Sequence, residues 1–322
     1  GTKGELRLGE MSKEVVTLDH AQAVEFMLAA MAEAGYPLSS FSAAAHRVVH
    51  GGTILTQPAR LTPPVIKAIE SVIPLAPLHN PNNLAGIYAL QAMAPDMPQY
   101  CSFGTAFHAT NSDVAVRYAI PQTHHDAGIR RYGFHGLSYA NMVAEFGEAL
   151  PSRLLALHLG NGTSLCAIHD GRSVATSMGY SPLSGLTMGT RSGDIDGAAV
   201  LRMSKSLGED ETDRMLNKNS GLQALAGDNN MKTLLEREDD AAKFAVEHFC
   251  YWAARHAGSA IVAMGGLDAV AFTGGIGENA APIRDRIMEL LACFGLVPVH
   301  VIAADEEKQI ARGALSLIAE DR

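Results

Sequence analysis

The apolar residues of this chain fall into short continuous runs, separated by glycine turns and by stretches of helical period. "RLLALHLG" (153–160) is apolar almost throughout and reads as a strand in a sheet buried on both faces. "DAVAFTGG" (268–275) repeats the pattern, then passes through "IGENAAPIRDRIMELLACF" into helical spacing, so it predicts strand, glycine loop and helix. "FSAAAHRVVHGG" (41–52) predicts a strand closing on a glycine turn, and "MPQYCSF" (97–103) another strand. "TPPVIKAIESVIPLAP" (62–77) predicts a helix with Thr62 as N-cap and Pro63 at its first position. Further helices are expected near 81–93 and over 138–149, and two or three between 194 and 264, the last one long. "LCAIHDGRSVATS" (165–177) predicts a hairpin turning at Asp170-Gly171. "VPVHVIAADEEKQIARGALSLIAE" (297–320) predicts a strand, then a helix capped by Asp305. Strand and helix signals alternate, which argues for an α/β protein with parallel or mixed central sheets. No repeat, low-complexity segment or obvious linker interrupts the pattern.

Composition narrows the picture. The 322 residues are 47% hydrophobic, ample for one large or two ordinary domains. A net charge of −9 argues against nucleic acid or an anionic membrane as partner. No apolar run approaches the ~20 residues that span a bilayer, and the polar start "GTKGELRLGEMSKE" carries no secretory apolar stretch. Four scattered cysteines (Cys101, Cys166, Cys250, Cys293) read as reduced core residues of a cytoplasmic protein.

Several glycine-rich stretches could carry chemistry. In "HLGNGTSL", His158, Leu159, Gly160, Asn161 and Gly162 end a strand, where bare backbone amides and hydroxyls could meet a phosphate; taken alone, the stretch reads more readily as a plain hairpin turn, which Asn-Gly favours. "FTGGIGEN" is a second strand-to-helix junction, an anion or nucleotide site or simply a turn. Arg191 in "MGTRSGDID" could clamp an oxyanion, or pair with a neighbouring aspartate. Arg47 lies inside an apolar strand, where burial requires a carboxylate or an anionic substrate beside it. His79 in "APLHNP" could be structural or catalytic, and the acids of "ADEEKQIAR" could compensate a helix dipole or hold a cation. His135 stands on a glycine-flanked turn, "YGFHG", directly before an amphipathic run, where it could simply cap the helix.

In their order, "HRVVHGG", "APLHNPNNLAGI", "TAFH", "YGFHG", "HLGNG", "MGTRSGDID", "FTGGIGEN" and "DEE…IAR" resemble the acetate kinase family, from about residue 40 to the C-terminus. The resemblance implies two similar actin-like ATPase domains with mixed central sheets around a nucleotide cleft. It puts residues 1–105 plus about 303–322 in the first and 106–302 in the second. It implies reversible, direct in-line phosphoryl transfer from ATP to acetate, with Mg2+, by a cytoplasmic homodimer. Arg47 and Arg191 match the arginines that hold the acyl carboxylate and the moving phosphoryl group, His135 the histidine that donates to that group, and His79 a supporting position. Val49, Leu78, Phe134 and Pro182 match the pocket for the acyl methyl. The 158–162 loop is implied to cradle ATP phosphates. Gly275, Ile276, Gly277, Glu278 and Asn279 would face adenosine, Asn230, Met231 and Lys232 would lie on a further nucleotide segment, and Glu306 would be associated with Mg2+. A propionate or other short-chain acyl kinase shares most of these motifs.

The chain also departs from the family pattern. Relatives open with an N-x-G-S-S-S-x-K phosphate loop that the first 40 residues do not contain, so an open sheet edge and weaker ATP contacts are expected. A loop is shorter near Leu296 and Val297. Gly104 stands where relatives have aspartate, which predicts open space at a strand end and a nucleotide-binding member with impaired catalysis. Tyr139 replaces a common histidine, and Gly197 a common proline.

Overall fold

The computed structural model describes residues 2–8, 11–17 and 20–320, with side chains at 12, 14 and from 22 onward. It divides into two compact units, residues 1–106 with 310–322, and residues 107–309.

In the first unit, β1 (Thr2–Leu8) and β2 (Met11–Thr17) form an antiparallel pair followed by α1 (His20–Glu33). A three-stranded mixed sheet has the order β3 (Ala44–Val48), β5 (Gln99–Phe103), β4 (Ala59–Arg60). Against it lie α2 (Pro63–Ser71) and α3 (Asn80–Met93), which share a core of Val48, Ile69, Leu84, Ile87, Cys101 and Phe103. Two expectations change here. Thr62 sits at the N-cap of α2 but makes no capping hydrogen bond; the fixed φ of Pro63 starts the helix without one. Arg47 is exposed, because β3 buries only Val48 fully, so no burial penalty forces a partner on it.

The second unit is built on a five-stranded sheet of order β10 (Val299–Val301), β9 (Ala269–Thr273), β6 (Arg153–Leu159), β7 (Thr163–His169), β8 (Arg172–Thr176). The first three are parallel, the last three antiparallel neighbours. Strand alternation explains the unbroken apolar run of β6. Leu155, Leu157 and Leu159 join a core with the long α11 (Asp240–Met264), while Leu154 and Ala156 join Tyr139 and Met142 on the other face. Asp170 (φ 48°) and Gly171 (φ 75°) form the β7–β8 turn as expected, both left-handed as that hairpin requires. Short helices α4 (Asp113–Val116) and α5 (Gln122–Asp126) precede α6 (Gly136–Phe146), which starts two residues before its expected position.

Between 194 and 264 lie five helices, more than predicted: α7 (Gly197–Leu207), α8 (Glu209–Lys218), α9 (Gly221–Ala226), α10 (Met231–Glu236) and α11. Left-handed or strained glycines at 208 (φ 88°), 221 (φ 61°) and 227 (φ 73°) cut the segment into pieces. The polar α8 buries only Thr212 and Leu216, so it shows little apolar periodicity. "GGIGEN" is also corrected. It is a short helix, α12 (Gly274–Asn279), running into α13 (Ala281–Leu290), and not a loop. Gly274 (φ 79°) permits this because a Cβ there would stand 2.7 Å from the Leu159 carbonyl oxygen. Asp305 caps α14 (Glu306–Glu320) as predicted, accepting from the Lys308 amide at 2.9 Å.

Gly197 opens α7 with nothing within 4 Å of an added Cβ, and Asp196 before it is extended (ψ 129°). That is the backbone a proline tolerates. Gly197→Pro should raise unfolding stability by about 0.4–1 kcal/mol, read as a higher urea midpoint at unchanged slope; a lower midpoint would contradict the geometry.

Candidate active site

The "YGFHG" turn presents the imidazole of the site. His135 is one of two non-glycine residues with positive φ among those described (φ 56°, ψ 22°). It occupies the N-cap of α6 but makes no side-chain capping bond, which removes the capping reading. Its ring instead turns toward the β6–β7 hairpin. Nδ1 lies 2.8 Å from Ser164 Oγ, and the ring stacks on His158 at 4.1 Å between centroids. His158 is held in turn by Ser138, Oγ to Nδ1 2.9 Å.

The glycines of the hairpin bring in the arginine. Gly160, Asn161 and Gly162 join two antiparallel strands, so the hairpin reading of this stretch holds as structure. The Thr163 hydroxyl closes the turn on the Gly160 carbonyl at 3.0 Å. A Cβ on Gly162 would lie 3.4 Å from His135 Nε2 and 3.5 Å from Arg191 Nη1. A bare backbone, an imidazole nitrogen and a guanidinium nitrogen therefore converge on one spot. Arg191 donates to the Pro182 carbonyl (3.2 Å) and contacts Met188 Sδ (3.8 Å). It has no carboxylate partner among the described residues. The aspartates of its own motif are engaged elsewhere: Asp194 accepts from the Gly185 amide at 2.7 Å and Asp196 caps α7 through the Ala198 amide. The Arg–Asp pairing is thus corrected. Burial lowers the Arg191 pKa from its ordinary value, as expected of a cation short of compensating charge.

Other predicted residues are placed less uniformly. Phe134 is buried and Pro182 half-buried in this unit; Val49 is half-buried and Leu78 65% exposed in the other. His79 is exposed at the N-cap position of α3, without a capping bond. Leu159 and Met231 are core residues, so only their backbone could meet a ligand. Asn230 caps α10 through the Lys232 amide (3.0 Å), and Lys232 is exposed. Glu278 Oε1 is occupied by the amides of Gly274 (3.0 Å) and Ala304 (2.9 Å), so the first amide of α12 is already taken. Gly275 is exposed and open, Ile276 packs on the core, Gly277 is buried, and Asn279 donates to the Gly275 carbonyl. Glu306 opens α14, but no cluster of three or more metal-binding side chains occurs among the described residues.

Several site-building residues carried no sequence signal of their own. The buried amide side chain of Asn80 both accepts from the His50 amide (3.1 Å) and donates to its carbonyl (3.0 Å). Asn83 accepts from the Val49 amide (3.0 Å), so "HNPNN" docks α3 on the end of β3. His108 of "TAFH" donates from Nε2 to the Phe134 carbonyl at 2.9 Å, while Nδ1 faces Ser173 Oγ at 2.9 Å. It anchors the turn one residue before His135. Complete burial pushes the His108 pKa down to about 4, against 6.5 in the unfolded chain. The stability tied to a neutral His108 is therefore full above pH 6.5 and is lost as pH falls toward 4, up to about 3 kcal/mol. The melting temperature should already decline between pH 6.5 and about 5, above most carboxylate titration; a flat profile there would contradict the burial.

The family model described as "Acetokinase family" matches residues 5–321. The chain belongs to the acetokinase family. An acetate kinase of Streptomyces coelicolor is 40% identical, over 94% of this chain and 83% of its own. The crystal structure of Porphyromonas gingivalis acetate kinase superposes with a TM-score of 0.89 at 32% identity, over 96% of this chain and 87% of that one. A propionate kinase from Francisella tularensis superposes equally well, TM-score 0.89 at 36% identity, over 94% and 86%. The fold is thus the α/β architecture of the acetokinase family, and the chain is a member of a kinase family. Against that background Gly104 is corrected. It is buried, its amide donates to the Val48 carbonyl at 2.9 Å, and a Cβ would lie 2.9 Å from the Val49 carbonyl oxygen. No open space exists there, and an aspartate would require this backbone to shift.

Proposed function

We propose that this chain transfers the γ-phosphoryl group of ATP to acetate, giving acetyl phosphate and ADP, directly and reversibly. The observation that carries the reading is the convergence of His135 Nε2 and Arg191 Nη1 over the backbone of Gly162. Phosphoryl transfer to a carboxylate needs little covalent help from protein. It needs two anions brought together and the charge on the moving group stabilised. Arg191, partly buried and without a carboxylate partner among the described residues, suits that charge. His135 Nε2 suits a hydrogen bond to an equatorial phosphoryl oxygen. The Gly160–Asn161–Gly162 turn lets phosphate approach backbone that a side chain would cover. Arg47 is assigned to the acyl carboxylate and His79 to a supporting position. Val49, Leu78, Phe134 and Pro182 are assigned to the acyl methyl. Asn230, Lys232 and the 275–279 segment are assigned to the nucleotide.

Mg2+ neutralises phosphate charge when it is bound. Among the described residues no ready-made cage exists, but Mg2+ commonly takes one or two carboxylates with phosphate oxygens and water. Glu306 fits as one such carboxylate. The reading includes a cytoplasmic homodimer. Three of the four free cysteines are buried, and apolar Leu201 and Leu207 on α7 and Phe244 on α11 are exposed as a partner-facing surface would be.

Turnover measured side by side with acetate and propionate tests the substrate. The reading expects acetate to have the higher kcat/KM, by a factor that one methylene limits to about 10–200. A preference for propionate would replace acetate by its homologue.

A further inference from the structure

We propose that Tyr139, through Ser164, fixes the tautomer of His135 so that its neutral ring carries the proton on Nε2. The argument is a count of donors and acceptors. Tyr139 is fully buried, with its hydroxyl 2.5 Å from Ser164 Oγ. Burial holds this phenol well above its usual pKa, so it keeps its proton. The His158 backbone amide, the other group facing that oxygen, is itself a donor. Ser164 is the sole acceptor for the phenol among the described residues, so the phenol donates to Ser164. Ser164, also fully buried, then has one proton and one remaining acceptor, His135 Nδ1 at 2.8 Å. The serine donates to Nδ1. A neutral imidazole that accepts at Nδ1 bears its hydrogen on Nε2. That nitrogen is the one facing the spot shared by Gly162 and Arg191 Nη1.

Each hydroxyl in the chain Tyr139–Ser164–His135 polarises the next. Titratable and charged groups near the His135 ring include His158 from β6, stacked on it, Arg191 from the 188–196 loop, and Tyr139 from α6 by way of Ser164. Tyr139 and Ser164 are positioning residues: they act through His135 and touch no reactant.

The kinetic consequence rests on the proposed role of His135, but the tautomer does not. At high pH the ring is neutral, and loss of the relay lets the proton move to Nδ1, where it cannot reach the moving phosphoryl group. Once the ring is protonated, both nitrogens carry protons whatever its neighbours do. In Tyr139→Phe, kcat should fall about tenfold at a pH where nitrogen-15 NMR shows the His135 ring neutral and by less than about threefold where it shows the ring doubly protonated, with KM for ATP unchanged. Tyr139→His, which restores a donor at the same position, should recover most of the loss. Ser164→Ala should reproduce the pH-dependent defect. A loss of equal size at every pH would overturn the proposal, since a structural defect has no reason to follow the charge of His135.

Nitrogen-15 NMR of histidine-labelled protein reads the tautomer without any turnover, the His135 signals being identified by their absence in His135→Asn. In the unaltered protein near pH 8.5 the Nε2 signal should be that of a protonated nitrogen and Nδ1 that of a bare one, and Tyr139→Phe should mix them. Protonated Nδ1 in the unaltered protein, or an unchanged spectrum in Tyr139→Phe, would overturn the relay. The expected spectrum in a protein that makes no acetyl phosphate would keep the relay and reject the phosphotransfer reading.

Discussion

Arg191→Ala should lower kcat/KM by about 10²–10³, or roughly 2.7–4 kcal/mol of transition-state stabilisation. The expectation comes from what the guanidinium lacks. It is partly buried, its pKa is lowered by desolvation, and its contacts are a carbonyl and a thioether. A cation in that condition is poorly compensated until an anion arrives. Its loss should therefore cost activity and little stability. Arg191→Lys should recover only part of the rate, because an ammonium cannot offer two parallel donors to a phosphoryl group. Steady-state kinetics with paired melting curves separate the two effects. Near-normal kcat/KM in Arg191→Ala would remove Arg191 from the site, and a large drop in melting temperature would make it structural.

Gly133→Ala should be strongly damaging. Gly133 has φ 77°, and a Cβ there would lie 2.6 Å from both His108 Cδ2 and Thr176 Cγ2. Left-handed backbone alone costs an alanine about 1–2 kcal/mol. Displacing two packed side chains should bring the total to about 3 kcal/mol or more. For a unit of this size that is a fall of roughly 6–12 °C in melting temperature. His108 would be pushed off the Phe134 carbonyl, so the presentation of His135 should suffer as well. Activity below one-hundredth of normal, in the fraction that folds, is the expected result; an unchanged melting temperature would show that the turn repacks freely.

These two residues illustrate what was legible in the sequence. Strands β6 and β9 at the centre of the larger sheet were plain, because burial on both faces makes them apolar almost throughout. The Asp170-Gly171 turn and the Asp305 cap were legible because each needs a particular residue at a particular place. The α8 helix was not, since ten mostly polar residues packing two side chains carry almost no apolar rhythm. Nor was α12, because three glycines in six residues argue locally against a helix that only packing on Leu159 and Phe272 explains. At the site, His135, Arg191 and Gly162 each stood out by their setting, and they come together. Tyr139 was noticed only as a replacement for histidine, and Ser164 and His108 only as members of "HLGNGTSL" and "TAFH"; none of them pointed to a place beside His135 or Phe134. A serine inside a strand and a tyrosine inside an apolar helix look like ordinary core until their hydroxyls are seen 2.5 Å apart. Arg47 was misread in the opposite sense: apolar neighbours suggested burial, but β3 is open on that face.

The central claim is that this chain makes acetyl phosphate, and phosphorus-31 NMR of the purified protein with ATP, Mg2+ and acetate tests it most directly. The account predicts that acetyl phosphate and ADP signals grow in equal amounts, that neither grows without acetate, and that Arg191→Ala nearly abolishes both. ADP rising together with inorganic phosphate independently of acetate, or no change in a protein shown to bind ATP, would contradict it.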